Sequence, residues 1–220
     1  MKTIKKEHAR RSQEARRDES RAKILAAAEQ VFAREGLAGA RTDAIAAQAG
    51  VNKALLHYYF KKKEKLYEAV LEKHLRDFND LAFSILKASG PAGELLLQYV
   101  NMHFDFIGER RRHAPLFQQL MTKGGGPPER LFRKYIAPRA EAVQKLLERG
   151  MRERAFRNVD AFHTAFSIAA LVVFYFSTAP VLKKIGYPDP YADESLRRRK
   201  KEVLDFIRHA LFINPDAPQK

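Results

Sequence analysis

The fold is decided by residues 42–66, which read TDAIAAQAGVNKALLHYYFKKKEKL. Thr42 can cap a short helix that carries Ile45 on its apolar side. Gly50 then permits a tight turn, and Asn52 can cap the helix that follows. Because two short helices joined by a glycine-containing turn form a helix-turn-helix, this stretch predicts a DNA-binding module.

The second of these helices presents a face suited to the major groove. At about 100° per residue, turning Leu56 toward the core places Phe60 beside it and points Ala54 and Tyr58 outward. Small apolar side chains can contact thymine methyl groups, while Tyr and His can bond to phosphates or base edges. The lysines that follow can bind flanking phosphates. We therefore assign DNA contacts to Arg41, Thr42, Lys53, Ala54, Leu55, His57, Tyr58 and Lys63.

A further helix is predicted to precede this pair. Ser20 can act as its N-cap, apolar residues recur at helical spacing from Ile24 to Phe32, and Gly36 stands where a left-handed residue would end it. Residues 1–19 consist largely of Lys, Arg, Glu, Ser and Gln, so we expect a disordered basic arm there. This arm either contacts the DNA minor groove or only increases solubility.

Taken together, residues 20–70 resemble the DNA-binding domain of the tetracycline-repressor (TetR) family of regulators. The resemblance rests on the run 24–28, Phe32, Gly36, Thr42, Ile45, Ala46, the run 49–51, Leu56, Tyr59, Phe60, Lys63 and Leu66. Two positions depart from the family pattern, because Leu55 replaces a small polar residue and His57 replaces a phosphate-contacting tyrosine. The resemblance implies a larger helical domain for ligand binding and dimerisation after the DNA-binding head.

The remaining sequence predicts an all-α protein. No stretch alternates with period two, and Gly and Pro cluster at 90–93, 124–128 and 186–190 between long helical patterns. We expect a DNA-binding domain over 20–66, a ligand-binding and dimerisation domain over 67–214 and a tail over 215–220. A helix over 63–88 would link the two domains, and Pro138 is expected to kink or end the helix that contains it.

Residues 161–182 form a stretch without Asp, Glu, Lys or Arg. It is long enough to span a bilayer, which needs about 20 apolar residues. Its scattered polar groups, among them His163 and Ser177, favour burial in a protein interface over contact with lipid. Together with an amphipathic last helix over about 193–212, this stretch predicts a homodimer joined by a four-helix bundle.

Aromatic residues are dense in the central helices at 99–121 and 162–176. This density predicts a mainly apolar pocket for a small apolar or aromatic effector. The residues assigned to that pocket are Tyr99, His103, Phe104, Phe117, Met121, Phe162, Phe166 and Tyr175.

Composition narrows the classes of function. A net charge of +15 over 220 residues points to an anionic partner, and the absence of Cys removes disulfide frameworks and Cys-based zinc sites. We predict neither a metal nor a cofactor, because no metal-ligand spacing or cofactor fingerprint is visible. The N-terminus lacks the apolar segment of a secretory signal, so a cytoplasmic location is expected.

The sequence therefore predicts a transcriptional regulator, a repressor that a small apolar ligand releases from a palindromic double-stranded operator. A helical enzyme whose site leaves no linear trace and a membrane-associated helical protein are the alternatives. A DNA-binding head of this kind is compatible with both repression and activation.

Overall fold

The computed structural model describes residues 2–110 and 128–215. Within these ranges every regular element is a helix, and one isolated β-bridge joins Phe156 to Phe212. The helices are α1 (Lys2–Gly39), α2 (Thr42–Ala49), α3 (Lys53–Phe60), α4 (Lys63–Leu86), α5 (Ala92–Glu109), α6 (Glu129–Leu131), α7 (Ala137–Arg152), α8 (Ala161–Lys184) and α9 (Asp193–Leu211). The predicted all-α class is confirmed.

The described residues divide into two compact units inside α4. The first unit contains those up to Lys73, and the second contains those from His74 onward. The sequence placed a boundary at residue 66, whereas the division falls later because the first turns of α4 contribute to the first core. Leu66 and Val70 of those turns are completely buried.

The first unit is built on the apolar stripes of α1, α2 and α3. Ile24 and Phe32 of α1, Ile45 of α2 and Leu56 of α3 are buried almost completely. Phe32 and Tyr67 pack edge to face, with ring centroids 5.1 Å apart. This core fixes α3 against α1 and α2 and leaves the opposite side of α3 to solvent.

The N-terminal helix is longer than the sequence indicated. Helix α1 begins at Lys2, so residues 2–19 are helical rather than a disordered arm. Ser20 is not an N-cap, because its hydroxyl donates to the Arg16 carbonyl from inside the helix, at 2.9 Å. The segment lacks a core-facing stripe, yet it also lacks Gly and Pro and is rich in strong helix formers. Gly36, with φ of 69°, interrupts α1 where the sequence placed its end.

The second unit is built around one continuous apolar core. The buried side chains include Leu96 and Phe104 of α5, Leu147 of α7, Val172 of α8 and Ile207 of α9. Helix α5 packs against α7, α8 and α9, so its side chains reach the centre of the unit. The residues predicted to bind a ligand are drawn largely from α5 and α8.

Pro138 does not end its helix. It lies in the first turn of α7, directly after a π-helical segment over Phe132–Ile136. Within this wider turn the Ala137 N–H donates to the carbonyl of Phe132, five residues earlier. The wider turn accommodates a residue that has no N–H to donate and whose ring crowds the preceding turn.

Helix α8 has an inner and an outer face. Among the described helices it alone is long and apolar enough to cross a membrane, over Ala161–Ala179, and 22% of that window is buried. The inner face, which includes Ile168 and Val172, belongs to the core. Phe166 and Phe174 lie on the outer face with 71% and 68% of their surface exposed.

Candidate nucleic-acid interface and ligand-binding region

The predicted helix-turn-helix is confirmed in the geometry of α2 and α3. Gly50 ends α2 with φ of 65°, a left-handed conformation that favours glycine. Asn52 caps α3, since its side-chain oxygen accepts from the Leu55 N–H at 2.7 Å. The cap predicted for Thr42 is wrong: Thr42 is the first helical residue, and Arg41 holds the cap position without a side-chain bond. A DNA contact by either residue stays a prediction.

The outer face of α3 matches the helical wheel. Leu56 and Phe60 are buried, while Ala54 and His57 are exposed and Tyr58 keeps 63% of its surface in solvent. Leu55 is half-buried at the edge of this face. The Tyr59 hydroxyl donates to the Arg17 carbonyl at 3.1 Å and so attaches α3 to α1. We call Lys53, Ala54, His57 and Tyr58 the recognition face.

Lys53 is joined to the neighbouring helix by a weak contact. Its ammonium lies 2.8 Å from the Asp43 carboxylate, with both side chains more than half exposed. An exposed pair of this kind contributes about 0–1 kcal/mol. A phosphate can therefore replace Asp43 as the partner of Lys53 at small cost.

Lys63 is held by the backbone of α1 and of the segment after it. Its ammonium donates to the carbonyls of Ala38 at 3.2 Å and Ala40 at 3.0 Å. These carbonyls lie at and just beyond the end of α1, where helices leave acceptors unsatisfied. A lysine ammonium has three N–H donors, so one remains for a phosphate. The DNA contact predicted for Lys63 is compatible with this position, but the residue also stabilises the head.

The predicted ligand residues separate into two groups. Tyr99, His103, Phe104 and Tyr175 are buried in the second unit. Within that group the rings of Tyr99 and His103 lie 5.8 Å apart, and those of Phe104 and Tyr175 lie 6.3 Å apart.

Two of the other four residues, Phe162 and Phe166, do not join this buried group. Phe162 and Phe166 are 61% and 71% exposed on the outer face of α8, so they cannot line an enclosed pocket with the others. The error arose because α8 is apolar on all sides, which hid its two faces from a periodicity argument. Phe117 and Met121 lie outside the described residues.

Tyr99 and His103 belong to a polar cluster that the sequence did not predict. Arg139 donates to the Asn79 side-chain oxygen and interacts electrostatically with Tyr99. The Asn79 amide in turn donates to the Tyr135 carbonyl at 2.9 Å. We call Arg139, Asn79, Tyr99 and His103 the Arg139 cluster.

Burial shifts the ionisation of this cluster. Removal from water, with a smaller contribution from the Arg139 charge, lowers the pKa of His103 to about 3, so the imidazole is neutral at pH 7. Burial likewise lowers the pKa of Arg139 and raises that of Tyr99. The linear sequence gave no signal for the cluster, because a single Arg on an amphipathic helix usually lies on its solvated face.

Comparisons with known proteins match both halves of the chain. Residues 24–70 match the family described as "Bacterial regulatory proteins, tetR family", and residues 99–207 match "Tetracyclin repressor-like, C-terminal domain". The HTH-type transcriptional repressor NicS of Pseudomonas putida is 31% identical over 203 residues, which cover 90% of this chain and 92% of NicS.

Solved structures share the fold at lower identity. A putative transcriptional regulator from Saccharomonospora viridis in complex with choline is 22% identical with a TM-score of 0.74, covering 89% of this chain and 98% of the other. FadR from Bacillus subtilis in complex with stearoyl-CoA is 19% identical with a TM-score of 0.70, covering 84% and 96%.

Proposed function

The chain belongs to the TetR family of transcriptional regulators, and we propose that it is a homodimeric repressor which a small, mainly apolar ligand releases from a palindromic operator. The exposed recognition face on a helix-turn-helix carries this proposal. Tyr58 keeps 63% of its surface in solvent, and the small side chain of Ala54 and the imidazole of His57 are also exposed. Such a surface fits a major groove, in which methyl groups and hydrogen-bonding base edges are accessible.

A second copy of the chain is proposed to cover the outer face of α8. The phenylalanines Phe162, Phe166 and Phe174 are more than 60% exposed there, and Phe206 of α9 is 60% exposed. Several large apolar side chains exposed together in this way are typical of an interaction site. Twofold symmetry would present two heads to inverted half-sites, whose centres lie about 34 Å apart on one side of the duplex. Helix α8 is then an interface helix, and the protein acts on DNA in the cytoplasm.

Ligand release is proposed to operate through the interior of the second unit. Tyr99, Phe104 and Tyr175 supply aromatic surface there. Structures with this fold have been solved with choline and with stearoyl-CoA, which supports a ligand role for the corresponding domain here. A ligand that binds the DNA-incompetent arrangement tenfold more tightly supplies about 1.4 kcal/mol of coupling.

The experiment that tests this function places a selected operator upstream of a reporter gene. Expression of the protein should lower reporter output, and Tyr58→Ala should restore it without lowering the amount of protein. Lys87→Ala is a matched control, because Lys87 is an exposed residue outside the recognition face. Reporter output that rises with the unaltered protein would reject repression.

A further inference from the structure

Arg139 is a half-buried cation whose hydrogen-bond partner is neutral. Its guanidinium donates to the amide oxygen of Asn79 and interacts electrostatically with Tyr99. The Phe78 ring lies against it, with the guanidinium carbon 4.5 Å from the ring centroid. Neither an amide nor a neutral phenol carries the full negative charge that usually accompanies a guanidinium withdrawn from water.

The acidic side chains of the described residues give Arg139 no counter-charge. No Asp or Glu among the described residues forms an ion pair with it. Residues 111–127, which lie outside the described ranges, contain no Asp or Glu at all. Because removing a guanidinium from water is costly unless an anion compensates, Arg139 has unused capacity for an anion.

The groups around Arg139 can complete an anion site. Tyr99 interacts electrostatically with the guanidinium, and the His103 ring lies close to those of Phe78 and Tyr99, with centroid distances of 4.7 and 5.8 Å. The buried Nδ1 atom of His103 has no hydrogen-bond partner among the described residues. A neutral imidazole can give one N–H, and a phenol can give one O–H.

We propose that the effector is an apolar carboxylic acid whose carboxylate binds Arg139, assisted by Tyr99 and His103, while its apolar part contacts the surrounding aromatic side chains. The proposal rests on the proposed function, since it specifies the chemical class of that regulator's ligand. A carboxylate accepts two parallel hydrogen bonds from a guanidinium, which an alcohol cannot do. A cation such as choline is disfavoured by the same charge.

The competing explanation is that Arg139 is structural and only holds Asn79 in place. Asn79 connects α4 to the π-helical segment through its bond to the Tyr135 carbonyl. A purely structural arginine would influence the stability of the second unit but would not distinguish an acid from an alcohol of equal size. The experiment therefore measures that distinction.

Binding to the full-length protein is measured by calorimetry with decanoate, decan-1-ol, 2-naphthoate, 2-naphthol and choline. We expect at least one acid to bind ten or more times as tightly as its matched alcohol, and choline not to bind. Arg139→Gln should reduce the ratio of the alcohol's dissociation constant to the acid's to about one without weakening binding of the alcohol. Arg139→Lys should restore part of this preference for the acid. Arg133→Gln, which removes an exposed positive charge from the π-helical segment, is the matched control.

Several outcomes would overturn the proposal. These are equal affinity for acid and alcohol, a preference that persists in Arg139→Gln, or no binding of either acid. If Arg139→Gln fails to fold, Tyr99→Phe removes only the hydroxyl and should reduce the preference severalfold, and an unchanged preference would reject the site. Operator affinity is measured separately: acids that bind without releasing DNA contradict the regulatory function alone, whereas alcohols that release DNA better than acids contradict the carboxylate site alone.

Discussion

Replacing Phe166 with alanine should dissociate the proposed dimer without unfolding the protomer. Phe166 is 71% exposed, so the protomer's own core does not depend on it. A phenylalanine covers about 150–250 Å² when buried, and the truncation removes roughly 100 Å² of apolar surface from each side of the interface. At about 25 cal/mol per Å² this is about 2.5 kcal/mol per protomer, or about 5 kcal/mol for a twofold contact. The dimer dissociation constant should therefore rise by about three to four orders of magnitude.

Sedimentation equilibrium over nanomolar to micromolar concentrations measures this constant directly. Tyr58→Ala is the matched control, because it truncates another exposed aromatic residue, on the recognition face, and should leave the dimer unchanged. Val172→Glu is a poor substitute, since Val172 is completely buried in the protomer and a charge there would unfold it. A monomeric unaltered protein at micromolar concentration, or an unchanged constant for Phe166→Ala, would refute the interface.

Three further predictions concern the head, the packing of the second unit and its response to pH. Lys63→Ala should destabilise the head by about 1–2 kcal/mol and reduce the salt dependence of DNA binding by about one unit of slope, whereas Lys62→Ala should affect only DNA binding. Thermal melts measure the first effect and salt titrations the second. Equal melting temperatures for the two variants would contradict the Lys63 bonds to the Ala38 and Ala40 carbonyls. Gly150→Ala should lower the free energy of unfolding by about 1–3 kcal/mol or more, because its new Cβ would lie 2.2 Å from ring carbons of Phe156. Gly39→Ala is the control, since its Cβ meets nothing closer than 3.5 Å. Equal unfolding midpoints for the two variants would refute the close packing at Gly150. His103 takes up a proton near its ordinary pKa of 6.5 in the unfolded chain and only near a pKa of about 3 in the folded chain. The free energy of unfolding should therefore fall as pH decreases from 6.5 to about 3, by up to about 1.4 kcal/mol per pH unit. His103→Leu should reduce that slope.

The helix-turn-helix could be predicted because local rules decide it. Gly50 supplies a left-handed turn and Asn52 supplies a cap, and both depend only on neighbouring residues. The start of α1 was missed because low hydrophobicity indicates that a segment lacks a core, which does not prevent a helix from forming. The role of Pro138 was missed because a π-helical turn leaves little trace in hydrophobic periodicity.

The ligand region was less predictable because it depends on contacts between distant parts of the chain. Asn79 and Arg139 are 60 positions apart in sequence yet share a hydrogen bond. Phe162 and Phe166 were assigned to a pocket because they are aromatic, although the structure exposes them. In a helix that is apolar on every side, only the packing of α5, α7 and α9 shows which side is buried.

Whether this chain is a dimeric sequence-specific DNA-binding regulator can be measured by selecting bound duplexes from a random DNA library with the purified full-length protein at moderate salt. We expect enrichment of an inverted repeat whose half-site centres lie about one helical turn, 34–36 Å, or a multiple of it apart. Tyr58→Ala should bind the selected sequence more weakly while retaining its affinity for random DNA. Failure to enrich any sequence, or enrichment of a single half-site without symmetry, would contradict the dimeric, sequence-specific role.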